Sequence, residues 1–216
     1  MIPIHQYNLP DISILESTGD AYHIWHPQDT HIVLGAGNKP EESLIEEHVL
    51  SDQIAVHKRP SGGQTVVLTP KTLVVSVLLH QNPTANPLEA FKKINTAIAS
   101  ALTRVGVENL AHKGISDITI EDRKILGSSI YRSKDRLFYH GVLNVAEPST
   151  TFERYLKHPP KEPDYRRGRP HGDFVTSIAN NKNDIDIRDI ERSLHDAMRE
   201  LMESLSNPKK EGAPNY

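Results

Sequence analysis

The 216-residue sequence contains no cysteine. Disulfide bonds, cysteine-based zinc sites and a cysteine nucleophile are therefore excluded. No hydrophobic run approaches the roughly 18 residues that a membrane-spanning helix needs, and the first fifteen residues have no signal-peptide pattern. Basic charge is not in excess, because 25 Lys and Arg stand against 28 Asp and Glu. A dedicated nucleic-acid binder usually has a basic excess. We therefore expect a cytoplasmic protein with no nucleic-acid or membrane partner.

Periodic apolar residues predict an α+β fold. β-branched and apolar runs predict strands over residues 21–25, 30–34, 54–58, 65–68, 72–79, 118–120, 124–126 and 136–145. Apolar spacings of three and four predict helices over 41–50, 88–105 and 187–205. Because strands outnumber helices and several adjoin as hairpins, we expect mixed, mostly antiparallel sheets flanked by helices. No linker divides the sequence, so we predict one catalytic domain over residues 1–206 and a polar tail over 207–216.

The first candidate site is Arg59-Pro60-Ser61-Gly62-Gly63, which follows a predicted strand. Adjacent glycines let a backbone approach a ligand and direct amide groups at an anion. Arg59 adds a planar donor for phosphate or carboxylate. A glycine turn between strands is the simpler interpretation from local features alone. A nucleotide P-loop is excluded, because Pro70 stands where that motif requires a glycine before its lysine.

The second candidate is Lys124, at the start of a short apolar strand that we expect to stop at Gly127. A lysine that projects from a strand into a pocket can stabilise negative charge developing on carboxylate or phosphate oxygens. Ser128 follows, and a charged run leads to His140-Gly141. A solvated charge run with a glycine turn explains the same local pattern. Neither motif decides the function by itself.

Taken in order, the two motifs resemble the lipoate–protein ligase family, within the biotin and lipoate ligase superfamily. The resemblance runs from about residue 21 to residue 178. It is carried by Arg59-x-Ser61-Gly62-Gly63, Asp117, Lys124-Ile125-x-Gly127-Ser128, Lys134-Asp135-Arg136 and His140-Gly141. It implies a biotin/lipoate ligase-like catalytic domain in which ATP, with Mg²⁺, activates lipoate or octanoate as acyl-AMP. A lysine of an acceptor protein then takes the acyl group.

The resemblance also implies roles for the matching residues. Lys124 corresponds to the family lysine that contacts the acyl carbonyl and the phosphate. Asp117 corresponds to the polar residue near the nucleotide and is the candidate ligand of Mg²⁺. The other matches line or border the acyl and adenylate pocket: Gly35, Arg59, Ser61, Gly62, Gly63, Gly127, Ser128, His140 and Gly141. The implied acceptor is a lipoyl carrier, such as a 2-oxoacid dehydrogenase E2 subunit or the glycine-cleavage H protein.

The sequence departs from the family pattern at Gln64, where a third glycine is usual, and at Leu68-Thr69, where the family has His-Asp. Two alternatives therefore stay open: a lipoyltransferase that uses preformed lipoyl-AMP, and a non-catalytic relative that binds a lipoyl group or an acceptor. The cysteine-dependent octanoyltransferases of the superfamily are disfavoured, because the sequence has no cysteine. Longer relatives carry an accessory carboxyl-terminal domain, so the resemblance implies a compact form or a separate accessory subunit.

A proline-rich stretch over residues 154–169 contains six Lys or Arg residues against two acidic ones. A solvated loop is one interpretation of this stretch. The other is a lid or a docking strip for an acidic acceptor domain, using Arg166, Arg167 and Arg169, since complementary charge speeds encounter.

Overall fold

The structure is a computed structural model that describes residues 2–80, 86–182 and 184–206. Its strands are β1 (Ile4–Gln6), β2 (Ala21–Trp25), β3 (His31–Leu34), β4 (Ala55–Lys58), β5 (Val66–Leu68), β6 (Thr72–His80), β7 (Leu110–Lys113), β8 (Asp117–Ile120), β9 (Arg123–Ser133) and β10 (Arg136–Asn144). Its α-helices are α1 (Pro40–Ser43), α2 (Glu46–Ser51), α3 (Pro87–Arg104), α4 (Ser149–Tyr155), α5 (His171–Phe174) and α6 (Ile187–Ser206). Two 3₁₀ helices cover Pro10–Glu16 and Asp164–Arg166.

The strands form two sheets. The smaller sheet has the order β1-β4-β3-β5, in which β1 and β3 are parallel to β4 and β5 is antiparallel to β3. The larger sheet has the order β2-β6-β10-β9-β8-β7 and is antiparallel throughout. The predicted α+β class with mixed, mostly antiparallel sheets is therefore confirmed.

β6 is apolar on both faces, because it lies between two hydrophobic cores. Successive side chains of a strand point to opposite faces. Val75 and Val77 belong to the core that α3 and α6 cover, whereas Val74 packs with Val33 of the smaller sheet. The face of the larger sheet that the long helices leave uncovered is therefore turned toward the smaller sheet.

α3 and α6 form the helical layer over the larger sheet. The Asn86 side chain caps α3 by accepting a hydrogen bond from the Leu88 amide at 3.0 Å, and Pro87 fits the first turn because that position needs no amide donor. Ser193 of α6 donates a buried hydrogen bond of 2.9 Å to the Ala101 carbonyl of α3. Both helices are confirmed to within one residue of their predicted bounds.

The prediction of one helix over residues 41–50 is wrong. The segment forms α1 and α2, separated at Leu44, whose backbone is extended and makes an isolated β-bridge with Leu156. Leu44 is fully buried, so its packing outweighs the local helical period. The strand predicted to stop at Gly127 instead continues through that residue to Ser133.

Several short elements have no counterpart among the predicted ones: β1, β7, α4, α5 and the two 3₁₀ helices. All three residues of β1 are exposed, so the strand has no apolar alternation to reveal it. The predicted tail over 207–216 lies outside the described residues, and the single-domain assignment stays a prediction. In the part of the chain that the structure describes, no helix is long and apolar enough to cross a membrane.

Candidate active site

Two neighbouring cavities border the segment of residues 157–169, which we call the strap. The sheet cavity has a volume of about 630 Å³ and reaches between the two sheets. Its inner wall is mainly apolar and includes Tyr7, Val33, Leu68, Val74 and Val142. The strap cavity has a volume of about 150 Å³, and the strap residues that line it are Lys157, Pro159, Pro160, Lys161, Pro163 and Arg166.

Lys124 lines both cavities. Its Nζ lies 2.9 Å from Oδ1 of Asp117, and the hydroxyl of Tyr165 donates a hydrogen bond of 2.7 Å to Oδ2 of the same carboxylate. The Asp117 side chain is 7 % exposed and that of Lys124 is 28 % exposed. The ammonium group is therefore paired on one side and accessible from the cavities on the other.

The backbone of Lys124 is held by the segment after α5. Val175 forms a parallel β-bridge with Lys124, and the Thr176 amide donates to the Lys124 carbonyl at 2.9 Å. Arg123 adds two hydrogen bonds, of 2.7 and 2.8 Å, to the carbonyls of Gly172 and Val175. This segment therefore fixes the point in β9 from which the lysine projects.

Gly127 leaves space for the Lys124 side chain. A β carbon added at Gly127 would lie 2.5 Å from both Cε and Nζ of Lys124, and 3.7 Å from Oδ1 of Asp117. Any other residue there would displace the lysine from its partner. The next residue, Ser128, donates a hydrogen bond of 2.8 Å to the Ser116 carbonyl and so links β9 to the residue before Asp117.

Arg59 organises the glycine-containing loop from inside. Its buried guanidinium donates to the Ser61 hydroxyl at 3.0 Å and to the carbonyls of Val33, Gly62 and Gln64 at 2.8–3.2 Å. No carboxylate pairs with it among the described residues. Burial lowers the pKa of Arg59 to about 10, so the group remains cationic at neutral pH. Its hydrogen bonds serve the loop, and it also borders the sheet cavity.

Two glycines set the shape of this loop. Gly63 has a φ of +88°, a conformation that favours glycine. A β carbon at Gly35 would lie 2.1 Å from the Gly63 carbonyl oxygen, so the backbones of the two loops touch. The Ala36 amide adds a hydrogen bond of 2.9 Å to the Ser61 carbonyl. The loop after β3 and the loop after β4 are thus packed together beside the sheet cavity.

His140 is a neutral, buried group at the sheet cavity. Its Nε2 lies 2.7 Å from the Ser61 hydroxyl, which also lies 3.1 Å from the hydroxyl of Ser129. Burial, followed by the positive charge of Arg59, lowers the pKa of His140 to about 3. The imidazole therefore has one donor and one acceptor nitrogen at neutral pH. It connects the Arg59 loop to β10 without adding charge.

The strap cavity is cationic. Lys124, Lys157, Lys161 and Arg166 line it, and no aspartate or glutamate is among its lining residues in the described ranges. Its walls also include apolar side chains, among them Ile125 and Phe174. A cationic cavity with apolar walls suits a ligand that combines phosphate with a flat or apolar body.

The basic stretch is not the free docking strip that the sequence suggested as one interpretation. Arg166 is 4 % exposed and lies over the Phe174 ring, 4.8 Å from its centroid. Arg169 pairs with Asp122 at 3.0 Å and donates to carbonyls within the strap. Arg167 is exposed. Two of the three arginines therefore hold the strap in place, and the lid interpretation stays a prediction.

Seven of the eleven predicted site residues line the sheet cavity: Arg59, Gly63, Asp117, Lys124, Gly127, Ser128 and His140. Ser61 contacts it through His140, and Gly35 and Gly62 shape the loop behind it. Gly141 lines neither cavity, because it lies on the opposite face of β10 from His140 and Val142. A β carbon there would stand 2.7 Å from the Tyr139 hydroxyl. The functional roles of these residues stay predictions.

Sequence reasoning missed Tyr165, Lys157, Lys161 and His171. The two lysines were part of the basic stretch, but their charge pattern alone did not distinguish a cavity wall from a solvated loop. Tyr165 lies within that stretch, and His171 lies two residues after its end. Only the fold brings them to the two cavities.

The described His, Asp and Glu side chains do not form a resident metal centre. Across residues 2–80, 86–182 and 184–206, no group of three or more His, Asp or Glu is arranged to hold a metal ion. Asp117 is a single carboxylate whose oxygens already pair with Lys124 and Tyr165. Mg²⁺ that arrives on a nucleotide needs only one or two protein carboxylates, and Asp117 as one of its ligands stays a prediction.

The family model of the lipoyl protein ligase A/B catalytic domain matches residues 11–199. The chain belongs to this family. Among curated proteins, it is 29 % identical over 122 residues to lipoate-protein ligase LplJ of Bacillus subtilis, which covers 56 % of this chain and 36 % of that protein. The chain spans less than half the length of the curated relatives it matches.

Solved structures of lipoate ligases share the fold. One describes a bipartite lipoate protein ligase of Thermoplasma acidophilum together with its E2 lipoyl domain; the TM-score is 0.77 at 17 % identity, covering 94 % of this chain and 84 % of that one. Another is lipoate-protein ligase A bound with ATP, with a TM-score of 0.76, 17 % identity and the same coverage. These likenesses confirm the biotin/lipoate ligase-like catalytic fold predicted from the motifs.

Proposed function

We propose that this protein is an ATP-dependent lipoate–protein ligase that forms lipoyl-AMP, or octanoyl-AMP, and transfers the acyl group to a lysine of a lipoyl domain. The observation that carries the proposal is the position of Lys124 at the boundary of an apolar cavity and a cationic one. Membership of the lipoyl protein ligase A/B family supports it.

The sheet cavity suits the acyl chain. Its inner wall presents Val33, Leu68, Val74 and Val142, and burying an aliphatic chain there is favourable by about 0.8 kcal/mol for each CH₂ group. Its mouth is bordered by Lys124 and Asp117. A fatty carboxylate bound with its chain inward would place its negative charge beside the ammonium group.

The strap cavity suits the nucleotide. Among the described residues, four cationic side chains and no acidic one line it, so phosphate oxygens are attracted there. The two substrates are both anionic, and bringing them together requires positive charge between them. Lys124 is the cation common to both cavities, and we infer that it neutralises charge on the acyl carboxylate and on the α-phosphate.

The proposed reaction has two steps. First, a carboxylate oxygen of lipoate attacks the α-phosphorus of ATP, and the bond to the leaving pyrophosphate breaks. Second, the neutral amine of the acceptor lysine attacks the acyl carbon, the bond to the AMP oxygen breaks, and the nitrogen loses a proton. Lys124 stabilises the charge that develops on the oxygens in the first step. Mg²⁺, as part of the substrate, screens the triphosphate when it is bound.

The acceptor is a lipoyl carrier, of which an E2 subunit and the glycine-cleavage H protein are candidates. The bipartite ligase of T. acidophilum is described with an E2 lipoyl domain, which supports an acceptor of this class and makes a separate accessory subunit a second possible partner. The cytoplasmic location stays a prediction of the sequence.

The experiment is transfer of lipoate to a purified apo lipoyl domain, followed by intact mass. With ATP and Mg²⁺ present, we expect the domain to gain one lipoyl group, and the acceptor-lysine-to-arginine domain to gain none. A domain modified only when synthetic lipoyl-AMP replaces ATP and lipoate would select the lipoyltransferase alternative. A domain that remains unmodified under both conditions but binds the protein would select the non-catalytic alternative.

A further inference from the structure

The strap contacts the candidate catalytic lysine through a single carboxylate. Oδ1 of Asp117 pairs with Nζ of Lys124 at 2.9 Å, and Oδ2 accepts the Tyr165 hydroxyl at 2.7 Å. We propose that Tyr165 is a positioning residue that orients Asp117, and through it Lys124, so that the lysine is set in place when the strap is in place. This rests on the proposed function of Lys124.

Neighbouring residues fix the position of the Tyr165 ring. Its ring packs against Phe174 at a centroid distance of 5.2 Å, and Nζ of Lys113 lies 5.7 Å from its centroid. A β carbon at Gly114, which has a φ of +59°, would lie 3.7 Å from the ring. The β7–β8 hairpin and α5 therefore hold the ring from two sides, so its hydroxyl has a fixed direction.

A second anchor keeps the strap beside the site independently of Tyr165. Arg169 donates to the Asp122 carboxylate and to the Asp122 carbonyl, both at 3.0 Å, and to the Tyr165 carbonyl at 3.1 Å. Arg166 donates to the Arg169 carbonyl at 2.9 Å. Because these contacts hold the strap, loss of the Tyr165 hydroxyl should free Asp117 without releasing the strap.

The phenol acts as a hydrogen-bond donor to Asp117 here. Burial, and then the charge of Asp117, raise the pKa of Tyr165 well above its usual range, so the hydroxyl keeps its proton. A carboxylate whose second oxygen is held cannot rotate freely. A long lysine side chain has many rotamers, and a fixed carboxylate selects one of them before the substrates arrive. Such preorganisation lowers the barrier because the charge need not be reoriented during the reaction.

Tyr165→Phe is the direct test, since it keeps the ring and removes only the hydroxyl. Tyr155→Phe is the matched control: the Tyr155 hydroxyl also donates to an aspartate, Asp52, at 2.8 Å, and that aspartate also pairs with a cation, Arg154. Tyr155 lines neither cavity. Thermal unfolding of both variants shows whether the fold is retained.

The first readout needs no ligase activity. Reductive methylation with formaldehyde and borohydride, followed by peptide mass spectrometry, measures the reactivity of Lys124 relative to the exposed Lys92 and Lys93 of α3. We expect Tyr165→Phe to raise the relative labelling of Lys124 about threefold and Tyr155→Phe to leave it unchanged. Equal Lys124 labelling in Tyr165→Phe and the wild type would overturn the proposal, whether or not the protein proves to be a ligase.

The second readout is kinetic. Tyr165→Phe should lower kcat for lipoate-dependent pyrophosphate release about tenfold, because a small misplacement of a catalytic group is costly, while KM for lipoate changes less than twofold. In an Asp117→Ala background, the same substitution should have no further effect. A tenfold loss in both backgrounds would show that Tyr165 acts by another route. If the wild type itself releases no pyrophosphate, the proposed function fails, and the labelling result still decides the positioning role.

Discussion

At the scale of single residues, the site depends on glycines, which leave space for functional side chains, as much as on the functional side chains themselves. Gly127 is the clearest case, because a β carbon there would meet the end of the Lys124 side chain at 2.5 Å. The lysine is flexible and can move aside, so the fold should tolerate the change. What is lost is the contact of Lys124 with Asp117, and with it the charge at the cavity boundary.

We therefore predict that Gly127→Ala lowers lipoate-dependent pyrophosphate release by about 100-fold, in line with the loss of one charge-stabilising donor. The melting temperature should stay close to that of the wild type. Gly19→Ala is the control, because a β carbon at Gly19 meets nothing within 4 Å. Wild-type activity in Gly127→Ala would show that the position of Lys124 over this glycine is unimportant.

The buried imidazole of His140 predicts that the free energy of unfolding depends on pH. Its pKa is about 3 in the folded protein against 6.5 for the unperturbed group, so between these values the unfolded chain binds more protons than the folded one. The free energy of unfolding should therefore rise with pH up to about 6.5. His140 contributes about 2 kcal/mol to the difference between pH 5 and pH 7.

Urea denaturation at pH 5, 6 and 7 measures this dependence. His140→Gln removes the titrating group and should flatten the dependence by that amount, even if the variant is less stable at every pH. The same slope in both proteins would mean that the pKa of His140 is the same in the folded and the unfolded chain.

At the scale of elements, the strap is a cavity wall that the rest of the chain holds in place. Arg169 supplies much of that hold through its contacts with Asp122 and with strap carbonyls. Arg167, two residues away, is exposed and in the left-handed conformation with a φ of 54°. Substitution of each arginine in turn therefore separates the effect of strap position from the effect of positive charge.

We predict that Arg169→Ala raises KM for ATP roughly fivefold, since a loosened strap presents its lysines to the phosphates less often. Arg167→Ala removes the same charge and should change KM for ATP less than twofold. Initial rates of pyrophosphate release at varied ATP give both values. Equal increases in the two variants would point to general electrostatic attraction in place of strap geometry.

At the scale of the whole molecule, two sheets and the strap enclose the site. The formal net charge is −3, yet the strap cavity is lined by cations alone among its charged residues. Positive charge is therefore concentrated where two anionic substrates would meet. The larger sheet supplies Lys124 and Asp117, and the smaller sheet leads into the Arg59 loop. The site thus exists only when both sheets are assembled.

The sequence predicts an element well where local residues determine it and poorly where contacts distant in the chain determine it. The sequence predicts β6 and β10 from their apolar runs and α3 and α6 from their helical apolar period, and both signals are local. α1 and α2 were not separated, since the extended backbone of Leu44 depends on a bridge to Leu156 far along the chain. Lys124 was predicted from its motif, whereas Tyr165 was missed. Its partner Asp117 is 48 residues away, and no local pattern records that contact.

Pyrophosphate release without any acceptor protein tests directly whether Lys124 activates an acyl carboxylate with ATP. We expect a signal that requires lipoate or octanoate, ATP and Mg²⁺, and that vanishes in Lys124→Ala while circular dichroism shows the fold retained. Pyrophosphate release by Lys124→Ala at the wild-type rate would contradict the assigned role of the lysine. No release by the wild type with either acid would contradict the ATP-dependent step itself.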